Sequence, residues 1–273
     1  MKYTEFYVKN LRKEKYINYF NEHRTIFLDQ SPNAIVLFET RELEHLEFTL
    51  KYTYSQLQNN FWSAYIFCSP INVDGIKSML QGYNVHFVVI DTEFNRKIED
   101  INDYNRLLLS KRLWKYFISQ GIEKILLFQE DSILFRTGVE DYLQYDYIGA
   151  PWNNKKHGKM CPLEYGNGGL TIRNTQLSLK LLQEPYKSRI DVFCESKNDG
   201  KNENKNEKKI NEDKYFSIGF YLLRIDYGLL SIHLPELNIA KEFSIEQVYA
   251  ENPVGGHQYW ICKPDYKDLF HIS

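Results

Sequence analysis

The run Lys124–Phe135, KILLFQEDSILF, decides the fold. Ile125, Leu126, Leu127 and Phe128 form an unbroken apolar stretch, the pattern of a strand buried on both faces. Four polar residues, Gln129, Glu130, Asp131 and Ser132, then end it abruptly. In open α/β sheets the ligand crevice lies at the carboxyl ends of the strands, which is where these polar groups fall.

Reading back toward the start, the chain alternates. AIVLF (34–38), AYIFC (64–68) and VHFVVI (85–90) are short apolar runs rich in β-formers, and helical stretches are expected at about 43–58, 72–81 and 103–119, the last stopped by Gly121. Alternation of this kind predicts βαβ units and a mostly parallel, Rossmann-type sheet flanked by helices, hence an α/β fold. Residues 4–29 carry Phe6, Leu11, Ile17, Phe20, Ile26 and Phe27 among charges without Gly or Pro. They read as an N-terminal helical extension (1–30) whose role is either docking on the core or forming a homodimer, with one domain following at 31–273.

Reading forward, YDYIGAPW (145–152) is a strand into a turn, and GNGGLTIRN (166–174) is a glycine-rich loop feeding a strand. Between Ser196 and Lys214 stand six Lys, five acids and a single apolar side chain, Ile210. Such a composition does not offset the entropy lost on ordering, so a mobile insert is expected at about 197–211.

Charge narrows the function. With 34 Lys+Arg against 36 Asp+Glu, the chain lacks the basic excess of a nucleic-acid-binding protein. Cys68, Cys161, Cys194 and Cys262 are widely spaced with no CxxC pair, which suits reduced thiols. No signal peptide and no apolar run of spanning length is present, so a cytoplasmic protein with no membrane span is expected.

Four clusters could carry chemistry. Gln129–Ser132 offers the carboxylate oxygens a hard divalent cation prefers, although a strand ending at the surface explains the same residues. Gly166–Gly169 allows positive φ and close backbone approach to a ligand, with Asn167 as donor and acceptor; a tight hairpin is the alternative. Glu212 and Asp213 form an acid pair suited to a general base or to the start of a helix. Gly255–Trp260, GGHQYW, presents His257 beside two rings on what read as flexible glycines, as a metal ligand or a hydrogen-bonded structural histidine.

Taken in order, QEDS, YDYIGAPW, GNGGLTIRN, the ED pair and PVGGHQYW resemble a family of bacterial and viral GT-A-like glycosyltransferases with largely uncharacterised acceptors, over about residues 33–262. The resemblance implies a nucleotide-sugar donor, usually a uridine diphosphate sugar, held through Mn2+ or Mg2+, with a glycan, protein or small-molecule acceptor. Gln129–Asp131 stand where such enzymes carry Asp-x-Asp, with Gln replacing the first acid. The resemblance assigns Asp131 and His257 to the metal, and Gln129 and Glu130 to a supporting role or the ribose. It assigns Asn167, Gly168 and Gly169 to the donor sugar and Arg41 to the base or diphosphate, with Asp91 and Lys111 as further donor-pocket candidates. Trp152 and Trp260 become platforms for sugar rings. Asp213, with Glu212 second, becomes the base of an inverting transfer of the hexosyl or N-acetylhexosaminyl class. A sugar nucleotidyltransferase and a non-catalytic nucleotide-binding or scaffold protein are the competing readings. The first lacks its glycine-rich basic loop in this sequence.

Overall fold

The apolar runs enter one sheet, and their order in it places the site. The structure, a computed structural model, describes residues 2–153, 161–196, 211–228 and 231–270. The expected insert at 197–211 lies outside the described residues, Asn211 apart.

Two helices, α1 (Tyr3–Leu11) and α2 (Glu14–Glu22), precede β1 (Asn33–Phe38), α3 (Leu46–Ser55), β2 (Ser63–Cys68), α4 (Val73–Met79) and β3 (His86–Val89). Three helices follow, α5 (Ile90–Phe94), α6 (Ile101–Leu108) and α7 (Lys111–Ser119), and then β4 (Lys124–Phe128), β5 (Ser132–Leu134), β6 (Tyr147–Pro151) and β7 (Tyr165–Asn174). The remainder is α8 (Thr175–Leu181), α9 (Tyr186–Ser196), α10 (Glu212–Tyr227), α11 (Leu237–Phe243), β8 (Ser244–Ile245) and β9 (Gly255–His257).

The main sheet runs β3-β2-β1-β4-β7-β6. Strands β1 to β4 are mutually parallel, β7 is antiparallel to β4, and β6 is antiparallel to β7. The chain steps outward from β1 through β3, then crosses to the other side of β1 to lay down β4. That reversal opens a crevice at the carboxyl ends of β1 and β4. The central strands are fully buried, as their uninterrupted apolar runs require.

KILLFQEDSILF is two strands joined by a turn. Ser132 N–H donates to Gln129 O (3.0 Å), turning the chain into β5 and so into a second sheet ordered β5-β9-β8. In that sheet Ser132 pairs with His257. The single helix expected at 103–119 is likewise two, because the Ser110 hydroxyl accepts from Arg112 N–H and starts a new helix at Lys111.

The N-terminal extension docks on the core. Its buried face is aromatic, with Tyr7, Tyr16 and Phe20 packed against Phe48, Tyr52 and Phe270, whereas Ile17 is 47% exposed and Ile26 58%. Among the described residues no helix is long and apolar enough to cross a membrane.

One buried ion pair joins helix to sheet. Arg173 on β7 is fully buried, and its guanidinium meets the Glu212 carboxylate at 2.5 and 3.2 Å, flanked by the rings of Tyr147 and Phe216. Removing one partner strands the other charge in a dry interior. Arg173→Met is expected to cost about 3–5 kcal/mol in urea unfolding. Adding Glu212→Gln should restore most of it; a double variant as unstable as the single one would contradict this account.

Candidate functional site

At the carboxyl ends of β1 and β4 lies a cleft of about 350 Å³, lined by Phe38–Arg41, Ile98–Ile101, Tyr104 and Gln129–Asp131. Five carboxylates, Glu39, Glu99, Asp100, Glu130 and Asp131, face one guanidinium, Arg41. A diphosphate would meet net repulsion here unless a cation came with it.

Asp131 sits at the end of the turn, beside the register position of His257. Its Oδ1 is 3.2 Å from His257 Nε2, and its Oδ2 accepts from Gln258 Nε2 at 2.8 Å. On the far side of the ring, Nδ1 lies 3.6 Å from Glu246 Oε2. Neither ring nitrogen makes a hydrogen bond of good geometry, though His257 is only 7% exposed. Burial pushes the imidazolium toward neutrality, but Asp131 and Glu246 outweigh it and raise its pKa to about 10. Burial also works against the Asp131 carboxylate, yet His257 and Gln258 hold it below its ordinary range.

Gln258 holds this corner at φ +44, a left-handed conformation rare for a side chain with Cβ. The glycines before it serve packing rather than flexibility. Gly255 and Gly256 are buried in β9, and a Cβ on Gly255 would stand 2.6 Å from Leu170 Cδ2 and 2.7 Å from Ile133 O.

Gly166–Gly169, expected as a loop, is the start of strand β7, and it passes between the two halves of the site. A Cβ on Gly169 would fall inside the His257 ring, and one on Gly168 would strike the Glu212 carboxylate and come within 3.3 Å of Asp213 Cβ. The Gly169 carbonyl accepts from Gln129 N–H (3.0 Å) and from the Ser132 hydroxyl (2.6 Å), tying the Gln129–Ser132 turn to β7. Asn167 Oδ1 is engaged within its own strand by Gly169 N–H at 2.9 Å.

Glu212 and Asp213 open α10 and part company there. Both Glu212 oxygens are held by Arg173. Asp213 accepts from Lys214 N–H, and burial, then the neighbouring Glu212 charge, raise its pKa to about 6.

The other expected residues divide. Arg41 lines the cleft, paired to Glu39 at 2.8 and 2.9 Å and reaching Glu130 at 3.4 Å. Glu130 is further held by the Tyr3 hydroxyl (2.9 Å) and His45 Nε2 (2.6 Å). Asp91 is the second residue of α5 and Lys111 the first of α7; neither is among the residues lining this cleft. Trp152 is buried just beyond β6. Tyr104, Glu39, Glu246 and Gln258 are site residues the sequence reading passed over. Glu39 carried a signal, since it follows an apolar strand as Glu130 does.

Among solved structures the chain is similar to mouse xyloside xylosyltransferase 1 in its apo form, at TM-score 0.53 and 10% identity over 82% of this chain and 97% of that one. A second similar structure is galactosyltransferase LgtC in complex with donor and acceptor sugar analogs, at TM-score 0.48 and 12% identity over 82% and 86%. The topology is therefore the GT-A-like α/β fold found in glycosyltransferases. No curated protein matches the sequence. The chain itself belongs to the family described as "Protein of unknown function (DUF5672)", which matches residues 85–257.

Asp213 yields a test of the geometry. Below its ordinary value of 3.8 the residue is protonated whether folded or not; as pH rises toward 6 the unfolded chain ionises first, and above 6 the folded protein carries the full cost of a charged, largely desolvated carboxylate. Asp213→Asn is therefore expected to stabilise the protein by on the order of 2–3 kcal/mol at pH 8, with the gain shrinking toward zero near pH 3. Denaturant unfolding across that range reads it out. A gain that does not depend on pH would rule out the buried carboxylate.

Proposed function

We propose that this protein is a glycosyltransferase that moves a sugar from a nucleotide-diphosphate donor, with uridine as the base, to an acceptor hydroxyl. The observation that carries the reading is the Asp131–His257 pair at the switch-point cleft. It presents a carboxylate and a buried imidazole whose nitrogens lie 3.2 and 3.6 Å from Asp131 and Glu246 without a well-formed hydrogen bond, so that a cation binding at Nε2 would displace the ring proton. Asp131 Oδ1 and His257 Nε2, 3.2 Å apart, would hold a divalent cation between them.

Among the described residues no three His, Cys, Asp or Glu side chains converge on one point. Two protein ligands leave the remaining positions for water and the donor's phosphates, the usual arrangement for Mg2+ and Mn2+. The imidazole favours Mn2+ over Mg2+. Glu246 then acts on Nδ1, fixing the tautomer and the ring orientation that point Nε2 at the ion. When bound, the cation neutralises the diphosphate and stabilises it as a leaving group.

The chain's own residues supply the rest. Arg41 and Tyr104 line the part of the cleft that takes the nucleotide, and the bare backbone of Gly168 and Gly169 lets the sugar approach β7. Asp213, largely ionised at neutral pH, takes the acceptor proton as the acceptor oxygen bonds to the anomeric carbon. The bond to the diphosphate breaks with its electron pair, and the configuration inverts. Glu212, fixed on Arg173, positions Asp213 and maintains its raised pKa.

Thermal unfolding with nucleoside diphosphates and sugar nucleotides, each with Mn2+ and with chelator, tests the reading. Ligand at 100 times its Kd adds about 2.7 kcal/mol and moves the midpoint by several degrees. Asp131→Asn and His257→Ala should abolish a metal-dependent uridine diphosphate shift, whereas Asp213→Asn keeps the shift and loses transfer. No shift with any nucleotide in the wild type would sink the proposal.

A further inference from the structure

The first helix reaches the cleft. We infer that Tyr3 is a positioning residue of the donor site, acting through Glu130; the inference rests on the donor reading above. Its hydroxyl donates to Glu130 Oε2 at 2.9 Å, and its ring stacks on Trp260 with centroids 4.0 Å apart and planes 7° from parallel. The same ring meets His45 edge-on at 5.4 Å, and His45 Nε2 stands 2.6 Å from the same Glu130 oxygen. One turn further along α1, the Tyr7 and Tyr259 hydroxyls approach to 2.5 Å. Spacing of four residues puts Tyr3 and Tyr7 on one helix face.

These contacts join the two segments that present the cation ligands. Glu130 immediately precedes Asp131, and Trp260 lies three residues beyond His257. Stacking and helix docking alone would be satisfied by phenylalanine. The hydroxyl adds a bond to a carboxylate that lines the cleft and is itself 15% exposed. Tyr3, His45 and Arg41 hold Glu130 against the wall of the cleft that a diphosphate would enter. Released, it would bring a negative charge toward that space. Tyr3, His45, Arg41 and Trp260 all fall outside residues 85–257, so this arrangement adds to what the family's matched segment carries.

The test is a double-mutant cycle in the full chain, with Tyr3→Phe, Glu130→Gln and both together. Binding of uridine diphosphate with Mn2+ is measured by calorimetry and the unfolding midpoint is recorded alongside. If Tyr3 works through the Glu130 charge, Tyr3→Phe weakens binding about 5-fold, Glu130→Gln alone leaves it near the wild-type value, and the pair binds like Glu130→Gln, whereas independent effects would leave the pair about 5-fold weaker. The midpoint of Tyr3→Phe stays near that of the wild type. Full additivity, or a lowered midpoint with unchanged affinity, overturns the role of Tyr3 and leaves the donor reading standing. A wild type that binds no uridine diphosphate with Mn2+ removes the donor reading, and this inference with it.

Discussion

The passage of the β7 backbone between His257 and Glu212, with no side chain in the gap, is the contact on which the rest of the site depends. At Gly169 a methyl group would occupy the imidazole, and at Gly168 it would occupy the carboxylate. The same strand accepts the turn after β4 through the Gly169 carbonyl. The Asp131–His257 pair and the acid pair are thus both referenced to one short piece of backbone in β7. Preorganisation of this kind lets a site hold its geometry before any ligand arrives.

Around that strand, each buried or half-buried acid is handled in its own way. Glu212 is neutralised by a fully buried guanidinium, Glu130 by a phenol, an imidazole and the edge of Arg41, and Asp131 and Glu246 share one imidazole. Asp213 is given a backbone amide and is left above its ordinary range. The contrast between Glu212 and Asp213, adjacent in sequence, follows from the helix start: consecutive residues point about 100° apart, so one meets Arg173 and the other does not.

Much of the fold was legible because parallel strands buried on both faces read as unbroken apolar runs. AIVLF and KILLF gave β1 and β4 almost to the residue. The break between α6 and α7 was hidden because Leu107, Leu108 and Trp114 preserve a helical spacing across it, while Ser110 acts through a cap that periodicity does not detect. In the site, the polar groups that interrupt apolar strands were visible as such. Glu246 was not, since its meaning comes from a ring eleven residues away in another strand, and Tyr3 meets Glu130 across 127 positions. The glycines of GGHQYW suggested looseness, whereas they mark tight packing against Leu170 and Ile133.

The pairing of β5 with β9 has a further consequence. Ser132 stands opposite His257, Ile133 opposite Gly256 and Leu134 opposite Gly255. Side chains alternate faces along a strand, so a slip of one residue would turn the imidazole away from Asp131 and set Gln258 in its place. The location of the histidine is therefore a matter of parity. Changes in loop length elsewhere can be absorbed by the loop, but one residue gained or lost within these three pairs would reverse which face of the small sheet carries the chemistry.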